Sequence, residues 1–205
     1  MNRSIAVFAS LVSLLGCGPQ RTLDENALAP IRIGVIVSQS GGLGGAGPGW
    51  LDASRLAVLE VNAAGGLLGG RPVELLVLDD ETNTSDLSFQ EGLAQQMIDA
   101  EVAGVVGSAA SSISLGVASA LTPAGIPQIS CCSTSDRITV FNEGLSEDAR
   151  FFFRTIAPDR LQSKVVALAA EDLMCSRVAI LHLADDYGQP FGEAIETALM
   201  AKGIT

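Results

Sequence analysis

The chain has 205 residues, a formal net charge of −11 and 48% hydrophobic residues, with only 4% aromatic. That length holds one substantial domain or two small ones. An acidic surface repels phosphate and argues against a nucleic-acid partner. Val, Ile, Leu and Ala in excess over aromatics suit buried parallel strands covered by helices.

At the N-terminus one positive side chain, Arg3, precedes an apolar run from Ile5 to Leu15. This run is too short to cross a bilayer, which takes about 20 residues, but has the length of a signal-peptide core. It ends in Leu14-Leu15-Gly16-Cys17. A small residue before a cysteine reads as a lipobox, in which cleavage frees Cys17 and its thiol takes a diacylglyceryl group. Residues 1–16 are therefore expected to be a lipoprotein signal peptide. Residues 17–30, polar and carrying Pro19 and Pro30, are expected to be a tether.

Regular structure begins with the apolar run Ile31 to Val37, predicted as a strand, followed by a Ser/Gly loop from Ser38 to Gly49. A helix follows, with Trp50, Ala53, Ala57, Val61 and Ala64 on one face. The Gly-rich stretch Asn62 to Gly70 turns the chain into a second strand, Val73–Leu78, which runs into Asp79-Asp80. Leu93, Ala94, Met97 and Ile98 mark the next helix, with Ser85 or Asp86 as its cap. Further strands are predicted at Val102–Val106, Pro127–Ser130, Phe151–Thr155 and Val178–Leu183. Two later helices carry Leu161, Val165, Leu168 and Ala169, and Phe191, Ile195, Ala198 and Leu199. Asp159 is the expected cap of the first of these. Cys131 to Arg150, polar and aperiodic, reads as a long loop. Strands alternating with helices imply an α/β fold with a doubly wound parallel sheet.

Three loops fall on one sheet edge: Ser38–Gly49, Gly107–Ser112 and Ser130–Ser135. The last two are dense in hydroxyls and small residues. Such loops expose backbone donors and can hold a carboxylate, helped by a helix N-terminus; equally, Ser/Thr/Gly clusters serve as caps and turns. Enzyme signatures are lacking. Gly42 to Gly47 matches G-x-G-x-x-G, but Ser38 to Gly41 separate it from the strand, and the acidic pair Asp79-Asp80 begins 37 positions beyond Gly42, where a dinucleotide site wants its acid about 20 on. His182 sits within an apolar run and reads as a core or strand-end residue. Asp185-Asp186 reads as a turn and helix cap. Cysteine spacing does not fit a structural metal site. Cys131 and Cys132 are adjacent, and neighbouring cysteines rarely bond to each other because the geometry is strained. A link from either to Cys175 stays open.

The segments Ser40-Gly41, Asn62-Ala63-Ala64-Gly65-Gly66-Leu67-Leu68-Gly69-Gly70, Asp79-Asp80 and Phe153-Arg154-Thr155-Ile156-Ala157-Pro158-Asp159 carry a family resemblance. In order and spacing they resemble the Leu/Ile/Val-binding family of type I periplasmic solute-binding proteins, from Ile31 to Thr205. The resemblance implies a site. Ser111 would meet the ligand carboxylate. Thr134 would offer a hydroxyl to the head group, and Cys132 and Ser133 backbone groups. Asp159 would supply an acid, and Tyr187, followed by Gly188, an aromatic from a second lobe. It departs from the family at Ala46, where an aromatic would stack on the ligand, with Trp50 nearby. It departs again at Thr82 and Ala110, where a disulfide would lie.

The family has two lobes, and its chain crosses between them three times. The resemblance therefore implies that residues 31–155 form the first lobe and residues 156–205 the start of a second, incomplete one. Such a chain is expected not to form a competent two-lobed binder unaided. The implied function is an extracytoplasmic, lipid-anchored solute-binding protein of an ABC importer, in the periplasm or cell envelope. It would capture a small amino-acid-like solute (a branched-chain amino acid, an amide or a relative) and hand it to permease subunits. No cofactor and no catalysis are implied. A ligand-sensing receptor or regulator domain of the same fold is the alternative.

Overall fold

The computed structural model describes residues 28–205. Five parallel strands form one sheet: β1 (Ile31–Val37), β2 (Val73–Asp79), β3 (Val105–Gly107), β4 (Gln128–Ser130) and β5 (Phe152–Arg154). Their order is β2-β1-β3-β4-β5. Helices α1 (Gly47–Ala63), α2 (Leu87–Asp99), α3 (Ser111–Leu121) and α4 (Asp136–Glu143) connect them, and α5 (Asp159–Asp172) and α6 (Gly188–Met200) follow. Strand β1 is flanked on both sides, in register with all of β2 and with Val105–Gly107 of β3. That explains why it is apolar almost throughout rather than alternating. The signal-peptide, lipobox and most tether expectations concern residues outside the described ones.

Helices α2 and α3 cover one sheet face. Ile36, Leu93, Met97, Val105, Ile113, Val117 and Leu121 form a buried cluster there. Truncating one of these larger side chains to alanine would cost about 2–5 kcal/mol. Gly34 belongs to the same packing, because a Cβ there would run into the sulfur of Met97. Helix α1 covers the opposite face through Leu51 against Val35 and Val37, with Trp50, Leu75, Val77 and Val106 around them. This helix stands off the sheet. Trp50, Ala53, Ala57 and Val61 line an apolar trough of about 500 Å³ between helix and strands. Beyond it the face is bare: Ile129 is 41% and Phe153 52% exposed. Ala167, Ala170, Leu199 and Ile204 make a separate cluster where α5 and α6 pack.

Local chemistry sets the boundaries. The Asn62 side chain donates to the Val73 carbonyl (2.9 Å) and accepts from its N–H (2.8 Å), pinning the glycine turn to the start of β2. Asp86 caps α2, accepting from the Phe89 N–H at 3.0 Å. Asp159 differs from expectation. It occupies the first helical position of α5, after Pro158, and caps nothing.

Three further expectations are corrected. Val178–Leu183 is not a strand. It has strand composition, but among the described residues its one backbone partner outside the segment is the Thr205 carbonyl, which accepts the Val178 N–H at 2.9 Å, and a strand without a full ladder leaves its backbone groups unpaired. His182 consequently lies exposed, its Nδ1 against the Leu183 carbonyl. The stretch Cys131–Arg150 contains α4 and a short 3-10 turn, Glu147–Ala149. Ser135 caps α4 by accepting from the Arg137 N–H (3.3 Å), and Ile138 anchors it beside Ala118 and Phe152. In α5, Leu161, Val165 and Leu168 are exposed, while Ser163, Ala167 and Ala170 make the buried face.

Candidate functional site at the C-terminal edge of the sheet

The first of the three edge loops is held by the carboxylates that end β2. Asp79 Oδ1 accepts from the backbone N–H groups of Gln39 (2.8 Å), Ser40 (3.2 Å) and Glu81 (2.9 Å). Burial would raise its pKa, but these donors and the Ser40 hydroxyl outweigh burial and hold it below the usual value. Asp80 is buried and receives the Ser108 hydroxyl and the Thr82 N–H. Both acids are spent on loop architecture.

Beneath the second and third loops lies a network of buried serines. The Ser108 carbonyl accepts from Ser114 Oγ (2.9 Å), Ser130 Oγ (2.6 Å) and Ser133 Oγ (3.1 Å). Ser130 Oγ in turn accepts the N–H groups of Cys132 (3.2 Å) and Ser133 (3.1 Å). The amide N–H groups of Cys132 and Ser133 are thus engaged inside the loop, and the Ser133 side chain is buried. Arg154, from β5, donates through Nη1 to the carbonyls of Thr134 and Ser135 (2.9 Å each) and through Nη2 to Thr139 Oγ1. Pinned this way, the loop has a fixed backbone on which Thr134 stands.

Ser111 opens helix α3. Ala110 before it has no side-chain acceptor, so the positive helix end is uncapped by any side chain. The Ser111 hydroxyl accepts from the Ser135 N–H at 3.3 Å, tying the two loops together while its own proton stays available. Ser112 Oγ accepts the N–H of Asp186 at 3.1 Å. This bond links the first edge to the segment before α6. Arg137 and Asp186 form an ion pair across the same gap. Arg160 pairs with Asp136 at 2.8 Å.

Asp159 is the electrostatic centre of the arrangement. It is 1% exposed, its N–H donates to the Thr134 carbonyl (2.9 Å), and neither carboxylate oxygen has a hydrogen-bond partner. Burial pushes its pKa up and the nearby Asp136 charge adds to this, against the Thr134 hydroxyl and the Arg154 guanidinium. Tyr187 is the N-cap of α6, with its ring 5.8 Å from that of Phe191. Burial raises the pKa of its phenol, with the Asp159 and Asp185 charges adding. Asp185 caps the turn, accepting from the N–H groups of Tyr187 (3.1 Å) and Gly188 (2.7 Å).

Four sequence candidates therefore converge: Ser111, Thr134, Asp159 and Tyr187. The other two, Cys132 and Ser133, support the loop from within. Trp50 lies apart from this group, in the trough under α1. Cys131 and Cys132 are bonded to each other, contrary to expectation, and Cys175 is free among the described residues. Sequence reading missed Ser112, Arg137 and the clamp by Arg154. Arg154 was visible only as part of a recurring Phe-Arg-Thr run. A buried carboxylate without a partner, beside hydroxyls and an open helix end, is chemistry for holding a small molecule with both a cationic and an anionic group.

Residues 30–205 match the periplasmic binding protein family. The Leu/Ile/Val-binding protein BraC3 of Rhizobium johnstonii is 27% identical over 96% of this chain and 50% of its own length. Among solved structures, an ABC transporter substrate-binding protein from Desulfitobacterium hafniense in complex with Leu is 29% identical. It superposes with a TM-score of 0.66 over 86% of this chain and 49% of its own. The branched-chain amino acid transporter substrate-binding protein LivJ of Streptococcus pneumoniae, in complex with isoleucine, is 26% identical with a TM-score of 0.70, over 82% and 46%. The chain spans about half the length of each. With the family match over residues 30–205 and the parallel α/β sheet in agreement, this chain belongs to the periplasmic binding protein family.

Proposed function

We propose that this chain is the solute-capturing part of an extracytoplasmic binding protein of an ABC importer, taking a small amino-acid-like solute between two lobes. Residues 31–155 form the first lobe and residues 156–205 open the second. The observation that carries this reading is Asp159, buried and unpartnered beside Thr134, with Ser111 at an open helix end and Tyr187 on the facing segment. A carboxylate so placed is completed by a ligand ammonium, and the helix end with Ser111 by a ligand carboxylate. The leucine and isoleucine bound by the similar proteins carry both groups. Thermal-shift screening of the full-length protein against amino acids, their amides and aromatic acids tests it. Branched-chain amino acids should raise the melting temperature with concentration, and no shift from any zwitterion would refute the reading.

The permease would receive the loaded protein at the cell envelope, and Cys17 would be its lipid anchor. The Leu-Leu-Gly-Cys sequence after an apolar core supports this. Expressed in a bacterium, the protein should fractionate with membranes, and Cys17→Ala should release it or stall its processing. Identical soluble fractionation of both forms would rule the anchor out.

A further inference from the structure

The loop that carries Thr134 is tied down on both sides of its first residue. Before it, the Ser130 carbonyl accepts the Thr155 N–H at 3.0 Å. After it, the N–H groups of Cys132 and Ser133 bond Ser130 Oγ, and Ser133 Oγ bonds the carbonyls of Ser108 and Ala109. Cys131 itself takes part in no hydrogen bond among the described residues. It is exposed, at the edge of the apolar trough that Trp50, Val106 and Ala109 also line. Its one tie is the bond to Cys132.

We propose that the Cys131–Cys132 disulfide is a redox-controlled brace on the solute-binding loop. Oxidised, it restrains the first residue of the loop, which hydrogen bonding leaves loose, and adds to the hold that Arg154 and the serine network have on the backbone at Thr134. Reduced, the Cys131 end of the loop gains freedom and solute binding must reorder it. Formation removes two electrons and two protons from the thiol pair, taken by a protein or small-molecule disulfide that becomes a dithiol. A dithiol reductant reverses this by thiol–disulfide exchange through a mixed disulfide. Cys131, being exposed, is the sulfur that an incoming thiolate reaches. An oxidising compartment keeps the brace closed. The consequence for affinity rests on the solute-binding reading; the brace itself does not.

The test uses the full-length protein with Cys175→Ser, so that Cys131 and Cys132 are the only described thiols. Alkylation without reductant, followed by peptide mass mapping, should leave the Cys131–Cys132 peptide unlabelled. Hydrogen exchange over Cys131–Ser135 should speed up about tenfold on reduction. L-leucine titrations should show affinity falling about three- to tenfold in reductant, the cost of ordering a few loop torsions on binding. Cys131→Ser/Cys132→Ser should match the reduced protein and ignore reductant. Full alkylation of both cysteines in unreduced protein, or exchange rates indifferent to reductant, would overturn the proposal. So would equal affinity in both redox states. If leucine binds in neither state, the solute-binding reading falls, and the exchange rates still decide the brace.

Discussion

The Asp159 carboxylate has no partner within hydrogen-bond distance, and burial, working against the nearby Thr134 hydroxyl, pushes it toward its neutral form. Its pKa in the fold lies above that of an unfolded chain. Stability contributed by this group is therefore greatest at low pH and is lost as pH rises through that raised value. Binding of an ammonium needs the ionised form, so affinity should move the other way, falling as pH drops through the same window. Asp159→Asn separates the two effects. It should leave the unliganded fold at least as stable at neutral pH, and weaken binding by about 1.5–3 kcal/mol, tenfold or more. It should also flatten the pH dependence of affinity. Melts and titrations of both forms from about pH 4 to 8 check this; an Asn variant that binds as tightly as the parent contradicts it. Ser111 and Thr134 came from the family resemblance, because hydroxyl-rich loops after successive strands serve equally as caps and turns. The isolation of Asp159 was not legible in the sequence, because it depends on burial by segments far apart in the chain.

Among the elements, the junction between α4, α5 and the segment before α6 is held by polar links. Ser112 accepts the Asp186 N–H, Arg137 pairs with Asp186, and Arg160 pairs with Asp136. The charged pairs are exposed, so each is worth only about 0–1 kcal/mol. In the proposed two-lobed binder they join the first lobe to the segment that opens the second. Arg137→Ala with Ser112→Ala should leave the melting temperature nearly unchanged while weakening solute binding about two- to tenfold, less so at high salt. Titration at low and high ionic strength checks this, and unchanged affinity at both would contradict it. The elements themselves were mostly legible. Strands β1 to β5 and helices α1, α2 and α6 follow from apolar periodicity, with Asp86 as the cap of α2; α5 was legible as a helix, but its buried face is Ser163, Ala167 and Ala170 rather than the leucine stripe, and Asp159 does not cap it. Helix α4 was hidden because only Ile138 and Phe141 mark its apolar side in a polar stretch. Val178–Leu183 misled because composition reports what a strand needs, whereas pairing decides whether it forms.

At the scale of the whole molecule, one well-packed sheet carries a second, smaller cluster at α5 and α6. The sheet face at Ile129 and Phe153 and the outer side of α5 at Leu161, Val165 and Leu168 are apolar and exposed. The chain spans about half the length of the curated relatives it matches. In the proposed function Ser111 and Thr134 receive a zwitterionic solute at the sheet edge. Isothermal titration of the full-length protein with L-leucine and L-isoleucine, beside Ser111→Ala and Thr134→Ala, tests it most directly. The account predicts saturable binding of at least one of them in the micromolar range or tighter, about −8 kcal/mol, with each variant weakened roughly tenfold or more. No binding by the parent, or variants that bind as tightly as the parent, would contradict it.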